Sequence, residues 1–157
     1  MAPPAEVLGV EHVDLTVTDL ARSARFYDEV LGALGFRRVP HATYVGWANA
    51  HLTIGLRAAS SASRQAPFDR YRVGLHHLAL RVRTRDDVDR LHDFLAREGL
   101  TILDPPAEHP EYGQRYYAVY FADPDGMKLE AVHFPWGYWR KVQSEGRDER
   151  PRYGNPS

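Results

Sequence analysis

The pattern around His12 returns around His77. Laying one on the other puts Val13, Leu15 and Val17 on Leu78, Leu80 and Val82, so two strands carry apolar residues at the same alternating positions. An amphipathic helix follows each strand. Residues 20–34 follow Thr18 or Asp19 as N-cap, with Leu20, Phe26, Val30, Leu31 and Leu34 in one stripe. Residues 86–98 follow Thr84, with Val88, Leu91, Phe94 and Leu95 on one side. Gly35 and Gly99 end the helices, one residue having been lost between the copies. Residues 36–39, 43–47 and 52–56 then read as short strands, and so do residues 101–103, 114–121 and 127–133. A duplicated βαβββ unit results. It predicts an α+β fold whose two tandem modules, residues 7–58 and 73–134, form a curved, partly open mixed β-barrel. Residues 1–6 are expected to be an N-terminal arm and 59–72 a linker rich in Ser and Ala. Residues 135–157 are expected to be a C-terminal extension, aromatic at first (Trp136, Tyr138, Trp139) and then charged.

Length and composition narrow the function. A chain of 157 residues holds one domain with a full core. A net charge of −1 offers no electrostatic case for nucleic acid or an anionic membrane as partner. The absence of cysteine excludes disulfides, thiolate zinc sites and a cysteine nucleophile. No apolar run approaches the ~18 residues of a membrane span. Residues 1–9 lack a signal-peptide pattern, so a cytoplasmic location is expected. The 8 histidines, with the carboxylates, are the ligands left for a metal at neutral pH.

The second copy ends in a hairpin with one awkward residue. Tyr116 to Phe121 is aromatic and β-branched, and Asp123-Pro124-Asp125-Gly126 reverses the chain, Pro124 pre-setting φ and Gly126 free to take a positive one. Glu130 then stands in an apolar strand between Leu129 and Ala131, where a carboxylate is costly unless a cation meets it. His12 and His77 occupy equivalent strand positions, on the face away from the aliphatic residues. Modules paired side by side would bring both imidazoles and Glu130 to one surface. Two imidazoles and a carboxylate with open positions suit Fe(II) or Mn(II), with zinc, nickel or cobalt as alternatives.

The chain resembles the vicinal oxygen chelate superfamily, which includes glyoxalase I, extradiol dioxygenases and fosfomycin resistance proteins. The likeness is carried by Val10-Glu11-His12-Val13-Asp14-Leu15-Thr16-Val17, Ser23-Ala24-Arg25-Phe26-Tyr27, Leu34-Gly35-Phe36, His76-His77-Leu78-Ala79-Leu80, and the run from Phe121 to Glu130. It implies a glyoxalase-like fold, a small-molecule substrate, a homodimer, and His12, His77 and Glu130 as metal ligands. Glyoxalase-like members take a fourth ligand from the last strand of the first module. Here Gly55 or Ile54 falls opposite Glu130, and His51 serves only in another register. The departure favours three-ligand members, and extradiol oxygenation of a catechol-like compound is the leading expectation. On that likeness Tyr120, on the strand before the turn, and His109, in the preceding loop, are the catalytic candidates. A lyase or isomerase, a fosfomycin-type thiol transferase and a non-catalytic drug-binding protein are the alternatives. His76 is expected to face away from His77 and to be structural. Tyr44, Trp47, Tyr112, Tyr116 and Phe121 include candidate cavity-lining aromatics.

Overall fold

The computed structural model describes residues 9–40, 44–64 and 68–135. The first module contains β1 (His12–Val17), α1 (Leu20–Ala33), β2 (Arg37–Val39), β3 (Val45–Ala48) and β4 (Thr53–Ala58). The second contains β5 (Leu78–Arg81), α2 (Arg85–Arg97), β6 (Ile102–Glu108), β7 (Tyr117–Ala122) and β8 (Lys128–His133). Their sheets run β1-β4-β3-β2 and β5-β8-β7-β6. Each begins with a parallel pair, β1 with β4 or β5 with β8, and continues antiparallel. The expected α+β duplication is therefore present, as two open, mixed sheets of matching topology. The N-terminal arm and the extension beyond residue 135 lie outside the described residues.

Local chemistry explains where both helices start. Asp19 caps α1, its Oδ1 accepting from Arg22 N at 2.9 Å. Thr84 and Asp87 form a reciprocal capping box at the start of α2. Three strands differ from the sequence reading, and of these β7, read from residue 114, begins at Tyr117 after a turn. The fifth ladder begins only at Leu78, because residues 71–77 run as a loop. The sixth, expected over 101–103, continues to Glu108 through Pro105 and Pro106. Proline lacks a ladder donor, and β6 accommodates two by lying at the sheet edge with register shifts on both sides of Asp104.

One apolar core spans the helix-covered faces of both sheets, joining Leu15, Val30, Leu31, Ile54 and Leu56 to Val88, Leu95, Val119 and Leu129. Trp47 and Phe121, candidate cavity-lining aromatics from the sequence, belong to this core. A polar joint fastens the modules. The turn between β7 and β8 docks on the start of α1, where Asp125 accepts from Thr18 N at 2.8 Å and pairs with Arg22. Beside it the buried Tyr27 hydroxyl donates to Asp123 Oδ2 at 3.0 Å, while Asp123 Oδ1 accepts from Asp125 N and Met127 N. Burial pushes the Asp123 carboxyl above its usual range, against the pull of these donors. Tyr27→Phe is therefore expected to cost about 1–3 kcal/mol, because it strands a buried acceptor. A chemical-denaturation midpoint that does not fall would show that the joint carries no stability.

Candidate metal centre

The strand ladders settle which positions correspond. His12 pairs with Thr53 and Asp14 with Gly55 across β1 and β4. Ala79 pairs with Glu130 across β5 and β8. With His12 equivalent to His77, Gly55 is the first-module counterpart of Glu130. His51 remains in the turn between β3 and β4, its backbone N–H donating to Asn49 Oδ1 at 2.8 Å.

Glu130 sits in the middle of β8 with 1% of its surface exposed. The Tyr116 hydroxyl donates to its Oε1 at 2.5 Å. His77 Nε2 lies 3.2 Å from its Oε2, close enough for an ion pair. The ring is not aligned to donate, however, and Oε2 has no hydrogen-bond partner. A buried carboxylate oxygen left in that state costs of order several kcal/mol unless a cation reaches it. The second sheet thus contributes two metal-type donors side by side.

His12 stands on the other sheet and is exposed. Among the described residues no group of three or more His, Cys, Asp or Glu side chains converges closely enough to hold a metal ion. The chain brings His77 and Glu130 together and leaves His12 apart. Both histidines nonetheless lie at sheet margins among the described residues: His12 opens β1, an edge strand of its sheet, and His77 directly precedes β5, an edge strand of the other.

The tyrosine-rich side of β7 surrounds Glu130. Tyr120 is its cross-strand partner, and Lys128 Nζ stands 3.7 Å from the centre of the Tyr120 ring. Desolvation first, then Glu130, push both the Tyr116 and Tyr120 hydroxyls upward, so both are donors at neutral pH. His109 packs edge-on to Tyr120 at 5.3 Å and stacks on Tyr112 at 5.8 Å. Its Nδ1 lies 3.1 Å from Glu111 Oε1, and its Nε2 is buried without a hydrogen-bond partner. The two catalytic candidates are neighbours in one aromatic cluster beside Glu130.

His76 corrects the sequence reading. Its Nδ1 is 2.8 Å from His77 Nδ1, so the two rings are partners and do not face opposite ways. The strand alternation that separated them does not apply, because β5 has not yet begun at residue 77. Desolvation, and after it His77, hold the His76 imidazole below its ordinary pKa.

The Glyoxalase/Bleomycin resistance protein/Dioxygenase superfamily matches residues 9–131. The chain belongs to that superfamily. It is 31% identical to a 2-epi-5-epi-valiolone epimerase of Actinomyces sp, over 92% of this chain and 89% of the relative. It is 28% identical to the metallothiol transferase FosB of Lysinibacillus sphaericus, over 79% of this chain and 81% of that protein. A solved glyoxylase/bleomycin resistance protein/dioxygenase domain from Frankia sp. EAN1pec has 31% identity and a TM-score of 0.69, covering 83% of this chain and 100% of its own. The superfamily includes enzymes that act on small molecules, an epimerase and a metallothiol transferase among these relatives. No helix among the described residues is long and apolar enough to cross a membrane.

Proposed function

We propose that this chain is a divalent-metal-dependent enzyme that holds a small molecule by two neighbouring oxygens and moves a proton at an adjacent carbon. That is the chemistry of an epimerase, isomerase or lyase. The observation that carries it is the Glu130 carboxylate, buried against the His77 imidazole with Oε2 unpartnered. His77 and Glu130 would hold the ion together with His12, a donor set suited to Fe(II) or Mn(II). His12 comes from a second copy of the chain: laying the β1 edge of one copy beside the β5 edge of the other joins the two half-sites. A twofold dimer forms two such sites.

The reaction class is supported by the epimerase relative, which aligns with nearly the whole chain. When bound, the metal supplies Lewis acidity that makes a C–H beside a carbonyl easier to deprotonate. The chain's own part is proton handling and exclusion of water. Glu111 orients the His109 ring through Nδ1, and the free Nε2 takes the proton and returns it. Tyr116 fixes Glu130, and the protonated Tyr120 hydroxyl donates to a substrate oxygen. The same Tyr120–His109 pair favours a second reading, extradiol oxygenation of a catechol-like compound.

The deciding experiment uses untagged protein loaded anaerobically with Mn(II) or Fe(II). It is incubated in D2O with α-hydroxy ketones and cyclic polyhydroxy ketones, and in parallel with catechols under air. Deuterium entering at the carbon beside the carbonyl supports proton transfer. A coloured ring-cleavage product without exchange would replace it by the oxygenase reading. His76→Ala is expected to weaken metal binding by about tenfold, because His77 loses the partner that fixes its tautomer. A chelator-competition titration checks this, and unchanged affinity would remove His76 from the site.

A further inference from the structure

Lys128 shares a sheet face with Glu130 and does not pair with it. On β8 the two are separated by one residue, which sets them about 7 Å apart along the strand. Leu129 and Ala131 point into the helix-covered core, so alternation puts Lys128 and Glu130 on the opposite face. Tyr120, the cross-strand partner of Glu130, shares that face, and His77 Nε2 lies 3.2 Å from Glu130 Oε2. An ion pair between Lys128 and Glu130 would satisfy a half-buried ammonium and an orphaned carboxylate oxygen at once. The two stay apart. Glu130 accepts from Tyr116, and Lys128 Nζ stands over the Tyr120 ring, 3.7 Å from its centre. No ion pair among the described residues includes Lys128.

An aromatic face attracts an ammonium but offers no acceptor for its three N–H donors. Lys128 is thus held beside the metal-type donors with its hydrogen-bonding capacity unspent. Its charge reaches them: together with Arg70 it acts on the His76 ring that partners His77. The charge balance points the same way. Glu130 offsets one charge of a divalent ion and Lys128 adds one back, so a loaded centre is strongly positive. Of the nearby acids, Glu111 is engaged by His109, and Asp104 lies exposed on the edge strand β6. The face around Glu130 is otherwise lined by the buried Ala118, Val132 and Phe134, where an unanswered charge is costly.

We infer that Lys128 binds an anionic group of the substrate, a carboxylate or a phospho group, beyond the two oxygens that the metal takes. The inference rests on the metal-dependent reading above and gives that reading its substrate class, a small organic anion. The strand spacing of about 7 Å places the anionic group a few bonds from the chelating oxygens.

The test is ligand binding by the full chain loaded with Mn(II), measured by calorimetry. Lactate, malamate, malate and phosphonolactate share a chelating α-hydroxy acid head. They differ in the group beyond it: none, a neutral amide, a carboxylate or a phosphonate. Wild type is expected to bind malate or phosphonolactate at least about tenfold more tightly than malamate and lactate, and whichever is preferred tells carboxylate from phospho group. Lys128→Met keeps a long apolar stem and a sulfur for the Tyr120 ring. It is expected to lose the preference while lactate binding and Mn(II) affinity hold, and Lys128→Arg is expected to keep all three. Equal losses for lactate and malate in Lys128→Met would overturn the assignment and make Lys128 a brace for Tyr120. A preference that survives Lys128→Met would overturn it as well. A wild type that binds no Mn(II) would overturn the metal reading and the inference with it. A Mn(II)-loaded wild type that binds malate no better than malamate would overturn the inference alone.

Discussion

Glu130→Gln is expected to yield protein that retains no divalent ion and shows no turnover. Glutamine preserves the shape of the side chain and an oxygen to accept from Tyr116, so the fold around β8 has little reason to change. What disappears is the charge. Partners that only orient a ligand already cost about 10–100-fold in metal affinity, and loss of an anionic ligand from a small donor set should exceed the upper end of that range. Stability should move the other way in the absence of metal. Wild-type Glu130 is a buried carboxylate with one oxygen unpartnered, and neutral glutamine avoids that desolvation cost. The apo variant is thus expected to unfold at the same denaturant concentration as apo wild type, or a higher one. Adding metal at a hundred times its Kd should stabilise wild type by about 2.7 kcal/mol and the variant not at all. Equal stabilisation of both by Mn(II) or Zn(II) would remove Glu130 from the centre.

The duplication was legible in the sequence because it rests on periodicity. Val13, Leu15 and Val17 repeat as Leu78, Leu80 and Val82, and burial on a sheet face enforces such alternation over several residues at once. Glu130 was legible because a lone carboxylate in an apolar strand violates the local pattern, and functional positions are where such violations concentrate. The signals that failed were those set by loops. His76 reads as alternating with His77 only if both lie in a strand, and the chain before Leu78 does not. His109, read from the sequence only as a loop residue, is packed between Tyr112 and Tyr120 just after a β6 that runs on through Pro105 and Pro106. Gly55 showed that the first module lacks the Glu130 equivalent.

Mixing two inactive variants is expected to restore metal binding and activity. His12→Ala removes the donor on the first sheet, and Glu130→Ala removes the buried one on the second. If each centre takes His12 from one copy and His77 with Glu130 from the other, each variant homodimer has two broken centres. A mixed dimer has one centre carrying both substitutions and one carrying neither. Random reassortment after mild unfolding and refolding at equal concentrations should therefore recover roughly a quarter of the wild-type centres, since half the dimers are mixed and half their sites are intact. The separation of His12 from the His77–Glu130 pair among the described residues, with both histidines at the edges of their sheets, is what makes this outcome expected. Centres built within a single chain would give no recovery at any mixing ratio, because every chain would carry one lesion in its own site. The measurement also separates a shared centre from simple dimer stabilisation, since a refolded mixture of Glu130→Ala with wild type should retain only the sites that the wild-type chains' own His77 and Glu130 complete.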